Sequence, residues 1–444
     1  MDYQYFYLNA FTLTVAGQAK MAVYNLLTGD IFSLDDKASK ILNNYNPSIE
    51  EMIRKAQSLN LEAESVYNLL NELNNLGLGM FSNQKLFIEK VYRDFIGPNL
   101  NKDFINLAKV SIRVGNKCNL DCFFCKNDYN TLCFPCSRKK SVSELQLSLP
   151  DVKQILKDIL LFGCDDVTFI GGDPFLEREH FFRILEYTAK KIKNVSVFTN
   201  LSTLPNTAKE LIAIHSNIRI IFPFFGNSES SFDSITRTTG SFNKLIENIS
   251  DLKTRNIKFT ALILKHRNHS VKESIEFCKS RDIDFSIYAP TPLVNDDKTL
   301  LCFGGYRVKN SEFPNIAIVD FYRHTMLNSC LGERIVIDFD GNIRPCLYSQ
   351  DVLGNIFNEG LRNVLRTGRQ DKFWYLKKDY IEGCNKCEFR YCCNYDCAVA
   401  SQNLHDKLNA RYPFCHYDPY VGEWKFKKEF QEEDQECVRM DLKN

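Results

Sequence analysis

Cys118, Cys122 and Cys125 stand in the stretch GNKCNLDCFFCKN, Gly115 to Asn127. Three thiols at CxxxCxxC spacing, with no histidine among them, make a soft-metal ligand set that lacks a fourth protein donor. Thiolates suit iron–sulfur clusters, and a cubane gripped by three of them leaves one iron open to an outside ligand. A zinc site completed from a distant residue and a simple crowd of free thiols are the alternatives. The motif directly follows a predicted strand, and that placement favours the cluster.

A second concentration of cysteine lies near the C-terminus. Cys330, ten residues, Gly341, four residues and Cys346 form one group; Cys384, Cys387, Cys393 and Cys397 follow as Cx2Cx5Cx3C, with Cys415 beyond. Seven or eight thiols at such intervals make a zinc ribbon the weaker reading, and four thiolates per cluster would allow two further 4Fe–4S centres. Cys133 and Cys136, in LCFPCSRKK, are open to several roles: binding metal, relaying hydrogen atoms, touching a substrate, or none. Cys392 falls outside the spacing pattern, and Cys164, Cys278, Cys302 and Cys437 read as core or surface residues.

Other residues sit where predicted strands end. Gly171, Gly172, Asp173 and Pro174 close DDVTFIGGDPF, and paired glycines let a backbone approach a ligand closely. Thr199 and Asn200 end NVSVFTN, and Arg237 precedes a predicted helix.

These residues need elements to position them. From about Val110, short β-rich runs (AKVSIRVG, DDVTFIGG, NVSVFTN, NIRIIFPFFG, IKFTALILK, IDFSIYAP) alternate with helical segments such as LPDVKQILKDILLFG and EHFFRILEYTAKKIK. The alternation predicts parallel β/α architecture, as a partial barrel or a doubly wound sheet. Beyond Pro292 the pattern turns irregular and cysteine-rich, as in a region that folds around metal. Residues 1–95 read as a separate module of strands followed by three short helices, winged-helix-like, with Ser33 or Asp35 as an N-cap and Gly77 closing the third helix.

The bulk numbers fit this picture. A chain of 444 residues predicts two or three domains. With 56 basic against 55 acidic residues it carries no field to draw it onto nucleic acid or an anionic membrane. No apolar run approaches the roughly 20 residues of a membrane span, and the first twenty residues lack the pattern of a signal peptide. Seventeen cysteines in a chain of this kind predict metal binding in a reducing cytoplasm rather than a disulfide framework.

Taken together, CxxxCxxC after the first strand and GGDP after the second resemble the radical S-adenosylmethionine (SAM) superfamily. The C-terminal spacing resembles the SPASM domain of peptide maturases, and the first module is similar to the leader-peptide recognition domains fused to such enzymes. The resemblance implies an α/β fold: a partial (β/α)6 TIM-like barrel over 105–295, a winged-helix-like leader-recognition domain over 1–95, a SPASM domain over 325–420 and a tail over 421–444. It implies that Cys118, Cys122 and Cys125 hold the cluster that binds SAM, with the Phe124 backbone near adenine. Gly171, Gly172, Asp173 and Pro174 would take the methionyl ammonium, and Thr199, Asn200 and Arg237 would supply further contacts. Pro223 and Phe225 stand where relatives carry polar ribose contacts.

Cys384, Cys387, Cys393 and Cys415 would hold an outer auxiliary cluster, and Cys330, Cys346 and Cys397 an inner one. An open fourth position on the inner cluster is preferred, with Cys302 and His324 as other candidates. The implied activity is hydrogen abstraction by a 5′-deoxyadenosyl radical from a ribosomally made precursor peptide, ending in a thioether or carbon–carbon cross-link. The implied partners are that peptide with its leader and a flavodoxin- or ferredoxin-like electron donor. Formylglycine formation of the anaerobic sulfatase-maturase type is an alternative, weakened by Leu347 where those enzymes carry aspartate. A non-catalytic peptide-binding partner is another, weakened by the intact first motif.

Overall fold

The computed structural model describes residues 3–91, 105–125, 131–136, 147–265, 270–288, 291–294, 315–393 and 397–425. Cys302 and Cys437 lie outside the described residues, as does nearly all of the tail.

The first module holds β1 (Tyr5–Leu8), β2 (Thr12–Ala16), β3 (Met21–Asn25), β4 (Ile31–Leu34), α1 (Asp36–Leu42), α2 (Ile49–Ser58), α3 (Ala63–Asn75) and β5 (Gly79–Ser82). Strands β2, β3 and β4 form an antiparallel sheet in that order, while β1 pairs with β5. Asp35 is the cap of α1, its carboxylate accepting the Ala38 N–H at 2.7 Å. Gly77 follows α3 at φ +70°, a left-handed turn that favours glycine. The helices and β1 enclose a core of Phe6, Val23, Ile41, Met52, Val66 and Leu70. The other side of the sheet, through Val15, Ala22 and Tyr24, packs instead on Phe321, Phe389 and Tyr417 far along the chain. The module is therefore welded to the C-terminal region, not merely tethered to it.

The main sheet begins with β6 (Lys109–Gly115). It is followed by β7 (Leu132–Cys133), α4 (Leu149–Leu161), β8 (Asp166–Gly171), α5 (Arg178–Ala189), β9 (Asn194–Phe198), α6 (Asn206–Ala213) and β10 (Ile218–Phe224). Then come α7 (Glu229–Thr236), α8 (Ser241–Thr254), β11 (Phe259–Leu264), α9 (Val271–Ser280), β12 (Phe285–Tyr288) and β13 (Thr291–Pro292). Strands β6 and β8 to β12 lie side by side and parallel, each of the six predicted runs supplying one. Branched and aromatic side chains such as Ile112, Val167, Phe169, Val197 and Ile220 are fully buried between sheet and helices, as a covered parallel sheet requires. Helix α7, ahead of Arg237, is an addition to the sequence-based expectation.

The C-terminal region contributes β14 (Arg334–Ile337), β15 (Asn342–Arg344), β16 (Gly354–Asn355), β17 (Tyr417–Asp418) and β18 (Glu423–Trp424). The expected hairpin is present, turning at Asp340 and Gly341, whose φ is +80°. Its first strand, β14, runs parallel to β6 and, with β15 and β16, extends the barrel sheet to nine strands. Arg113 on β6, fully buried, seals this junction: it lies 3.3 Å from Asp338, bonds Asn116 at 2.8 Å and stacks over Phe339. Among the described residues no helix is long and apolar enough to cross a membrane.

Candidate metal centres

The carboxyl ends of the parallel strands carry the first thiol group, where open and closed α/β sheets alike place their ligands. The loop after β6 is braced from three sides. Asp121 and Phe123 donate their N–H groups to the carbonyls of Thr236 and Ile235 at 3.0 and 3.2 Å, so the C-terminus of α7 holds the loop. The Asn119 amide bonds Ser202 and Thr203 and accepts from Asn200. Asp173 donates its N–H to the Lys117 carbonyl at 2.7 Å. The Cys118 sulfur accepts from Leu120 N–H at 3.5 Å and from the Asn200 amide at 3.7 Å. Burial nevertheless pushes its thiol up to about 11, with Asp173 and Cys125 adding to the effect.

The residues expected to meet SAM divide into two kinds. Gly171 and Gly172 are required by the loop itself: an added Cβ would lie 2.6 Å from the Gly115 carbonyl or 2.2 Å from that of Lys117. Asp173 is buried and already engaged, accepting from the Thr199 hydroxyl at 2.9 Å, Phe175 N–H at 3.0 Å and Asn200 N–H at 3.2 Å. Burial raises its carboxyl to about 6 against those bonds. Pro174 opens the short 3₁₀ turn after it. Asp173 and Thr199 therefore lock the ends of β8 and β9 together. Asn200 carries that link to Cys118, and Leu201 follows in the left-handed region at φ +57° where relatives have glycine. Arg237 is exposed and caps α7 at φ +53°. Phe124 is fully buried against Phe123, Phe134 and Phe225, and its carbonyl accepts from Thr131. Phe225 thus builds the aromatic core, and Pro223 sits in β10 opposite Leu262.

The C-terminal thiols form two further groups. Cys346 follows β15, its sulfur accepting from Tyr348 N–H at 3.5 Å. Cys397 caps the helix Ala398–His405, its sulfur taking the Ala400 N–H at 3.4 Å, a position that favours a thiolate. Both pack with Leu293, Val399, Ala400 and Tyr412. Cys330 is held from the Asn328 side chain through its N–H at 3.0 Å. The third group lies against the N-terminal sheet. Cys387 is half-buried there, and desolvation, then Cys393, Glu388 and Cys384, push its thiol well up. Cys415 borders both the second and third groups and accepts from Arg411 at 3.5 Å.

Two cysteines left open by the sequence now have places. Cys136 forms a bridge with Gly171; burial first, then Cys125, Cys122 and Cys118, raise its thiol. Cys133 belongs to the second group: burial, then Cys397, Cys346 and Cys330, push its thiol well up. Their nearness to the first motif was visible in the sequence, but their destinations depend on tertiary contacts. Cys392, bonded to Tyr24 and Phe389, is buried, and Cys164 and Cys278, read from sequence as core or surface residues, are in the core.

Zinc would draw its ligands to within about 2.3 Å of one point. Among the described residues no three Cys, His, Asp or Glu side chains close on a single ion in that way.

A parallel β/α barrel with thiols at its strand ends and cysteine groups behind it defines an iron–sulfur enzyme class. Residues 112–279 match the radical SAM superfamily, and residues 329–388 match the SPASM iron–sulfur cluster-binding domain. The chain is a radical SAM/SPASM enzyme, with a SAM-binding 4Fe–4S cluster and auxiliary iron–sulfur clusters as its cofactors.

Among curated relatives, a GTP 3′,8-cyclase of Marinobacter nauticus is 23% identical over 290 residues, covering 58% of this chain and 82% of its own. The antilisterial bacteriocin subtilosin biosynthesis protein AlbA of Bacillus subtilis is 23% identical over 356 residues, covering 73% and 74%. Streptococcus suis SuiB bound to S-adenosylmethionine superposes with a TM-score of 0.52 at 15% identity, over 92% of this chain and 99% of that one. Native anSMEcpe with bound AdoMet and a Cp18Cys peptide gives 0.53 at 16%, over 71% and 96%.

Proposed function

We propose that this enzyme modifies a ribosomally made precursor peptide, installing a thioether or carbon–carbon cross-link by hydrogen abstraction. The observation that carries this reading is the N-terminal module: a small sheet with three helices, fixed by Tyr24, Gln18 and Arg390 to the region of the third thiol group. SuiB, whose fold matches over 92% of this chain, has also been solved with precursor peptide SuiA, and AlbA bears the name of a bacteriocin biosynthesis protein. Such a sheet can take an extended leader as an added strand, giving affinity apart from the chemistry.

In this reading Cys118, Cys122 and Cys125 would hold the SAM cluster, Cys330, Cys346 and Cys397 the inner auxiliary cluster, and Cys384, Cys387, Cys393 and Cys415 the outer one. A cluster held there would supply the electron for reductive cleavage of SAM, and so the means of removing hydrogen from an unactivated carbon. The chain's part is to orient and to exclude. Asp173, Thr199 and Asn200 set the strand ends against Cys118, while Gly171 to Pro174, the Phe124 backbone and Arg237 border the SAM position. The rings of Phe124, Phe134, Phe198 and Phe225 pack on one another as an apolar wall beside the first motif. Auxiliary clusters held by the C-terminal thiols would serve as acceptors for the electron that a cross-linked product must lose, with a flavodoxin- or ferredoxin-like protein as donor of the first. The domains follow 1–95, 105–295 and 325–420, and the thiol content suits a reducing cytoplasm.

The test is anaerobic incubation with SAM, reductant and the precursor peptide encoded beside this gene. Loss of two hydrogens, with no fragmentation between the joined residues, is expected. An aldehyde that captures a hydrazide would identify formylglycine instead, and unchanged peptide beside abundant 5′-deoxyadenosine would refute the maturase reading. Replacing Cys118, Cys122 and Cys125 by alanine abolishes 5′-deoxyadenosine release.

A further inference from the structure

We propose that Cys133 is the fourth thiolate of the inner auxiliary cluster, completing the set Cys330, Cys346 and Cys397 and closing that cluster to substrate. The inference rests on the reading of those three residues as cluster ligands, and it replaces the open position expected from sequence. Three geometric observations carry it.

First, Cys133 lies in one apolar cluster with two of its three proposed co-ligands. It packs with Cys346 and Cys397 against Leu293, Val399, Ala400 and Tyr412, although more than two hundred residues separate it from Cys346. Second, its backbone is fixed there from two directions. Strand β7 pairs with β13, placing Cys133 opposite Thr291, and Leu293 N–H bonds the Thr131 carbonyl at 3.0 Å. The Tyr288 hydroxyl donates to the Cys133 carbonyl at 3.0 Å and lies 3.9 Å from its sulfur. Third, the loop bearing Cys346 reaches back to the loop bearing Cys133. Tyr348 accepts the Phe134 N–H at 3.2 Å, and its hydroxyl also meets the carbonyls of Phe134 and Cys136. A tyrosine two residues after one ligand thus holds the residue next to the other.

The remaining candidates differ. His324 presents its Nδ1 to the Tyr391 carbonyl at 2.7 Å, and Cys302 lies outside the described residues. The electrostatic coupling of the Cys133 thiol to Cys397, Cys346 and Cys330 agrees with the packing.

Ligation requires only that the Cys133 thiol release its proton to solvent as the iron–sulfur bond forms; no oxidant or reductant is consumed. A cluster with four thiolates can accept and pass an electron but offers no iron to a substrate sulfur. The loop after the SAM-cluster motif then reaches from the first centre to the second, with Cys125 and Cys133 near its two ends.

The experiment uses full-length protein carrying Cys118→Ala, Cys122→Ala and Cys125→Ala, reconstituted anaerobically so that only auxiliary clusters remain. About eight irons per chain are expected. Into this background go Cys133→Ser, Cys133→Ala and, as a loop control, Cys136→Ala. EPR of the reduced proteins, iron content and binding of isotope-labelled cyanide are measured. Cys133→Ser is expected to shift one of the two EPR signals. Cys133→Ala is expected to let cyanide bind one cluster or to lose about four irons. The background and Cys136→Ala proteins should do neither. Cyanide binding to the background protein, spectra indifferent to Cys133, or equal iron loss from Cys136→Ala overturns the proposal while leaving the auxiliary clusters intact as a reading. A background protein without iron overturns both.

Discussion

Asp173 shows how one side chain can organise a site it need not touch. Its carboxylate gathers the Thr199 hydroxyl and the N–H groups of Phe175 and Asn200 inside the fold. Removing it strands those donors without solvent. Asp173→Ala is expected to cost about 2–4 kcal/mol of stability, read by denaturant unfolding of the cluster-free protein. SAM cleavage should fall further than the unfolded fraction explains, because Asn200 loses its anchor beside Cys118. The motif was legible in sequence as Gly-Gly-Asp-Pro after a strand. Its task was not, since the Thr199 partner lies one β/α unit away and meets it only when the strands align.

At the scale of elements, β4 is the informative strand. Its register with β3 is described, and its other edge has no strand partner among the described residues. Every residue from Ile31 to Leu34 is half-buried, as a strand awaiting a neighbour would be. If the leader adds there, amide exchange at Ile31–Leu34 slows on addition of precursor peptide, measured by hydrogen exchange with mass spectrometry. Unchanged exchange in the presence of bound peptide would place the leader elsewhere. Helix α7 teaches a related lesson. Its sequence, ESSFDSIT, is polar and short, yet the carbonyls at its C-terminus hold the cysteine loop. Periodicity is weak over eight residues, so tertiary contact decides such a helix.

At the scale of the molecule, two joints make one body from three modules. Arg113 ties β6 to the SPASM hairpin through Asp338 in a fully buried pair. Arg113→Met leaves that carboxylate facing only Arg344, 3.8 Å away, and the Phe339 N–H. A loss of about 3–5 kcal/mol is expected in urea unfolding. The other joint is Tyr24 and its apolar neighbours against Phe389 and Tyr417, beside the third thiol group. The region from 384 to 425 has short elements, and in the proposed reading its thiols hold a cluster. Iron chelation should therefore open it to limited proteolysis, while cleavage within β8 to β11 stays slow. Equal protection with and without iron would show that the region folds on apolar contacts alone.

The sequence by itself determined the six parallel strands, because each is an apolar β-rich run between amphipathic helices, and local pattern suffices for that. It also determined the three cysteine groups of the main motifs, because ligand intervals within one loop are fixed by covalent length. Tertiary structure alone decided that β14 would extend the barrel sheet, that the first module would rest on the C-terminal region, and where Cys133 and Cys136 would go. Those choices depend on which surfaces bury each other across hundreds of residues, and no local interval records them.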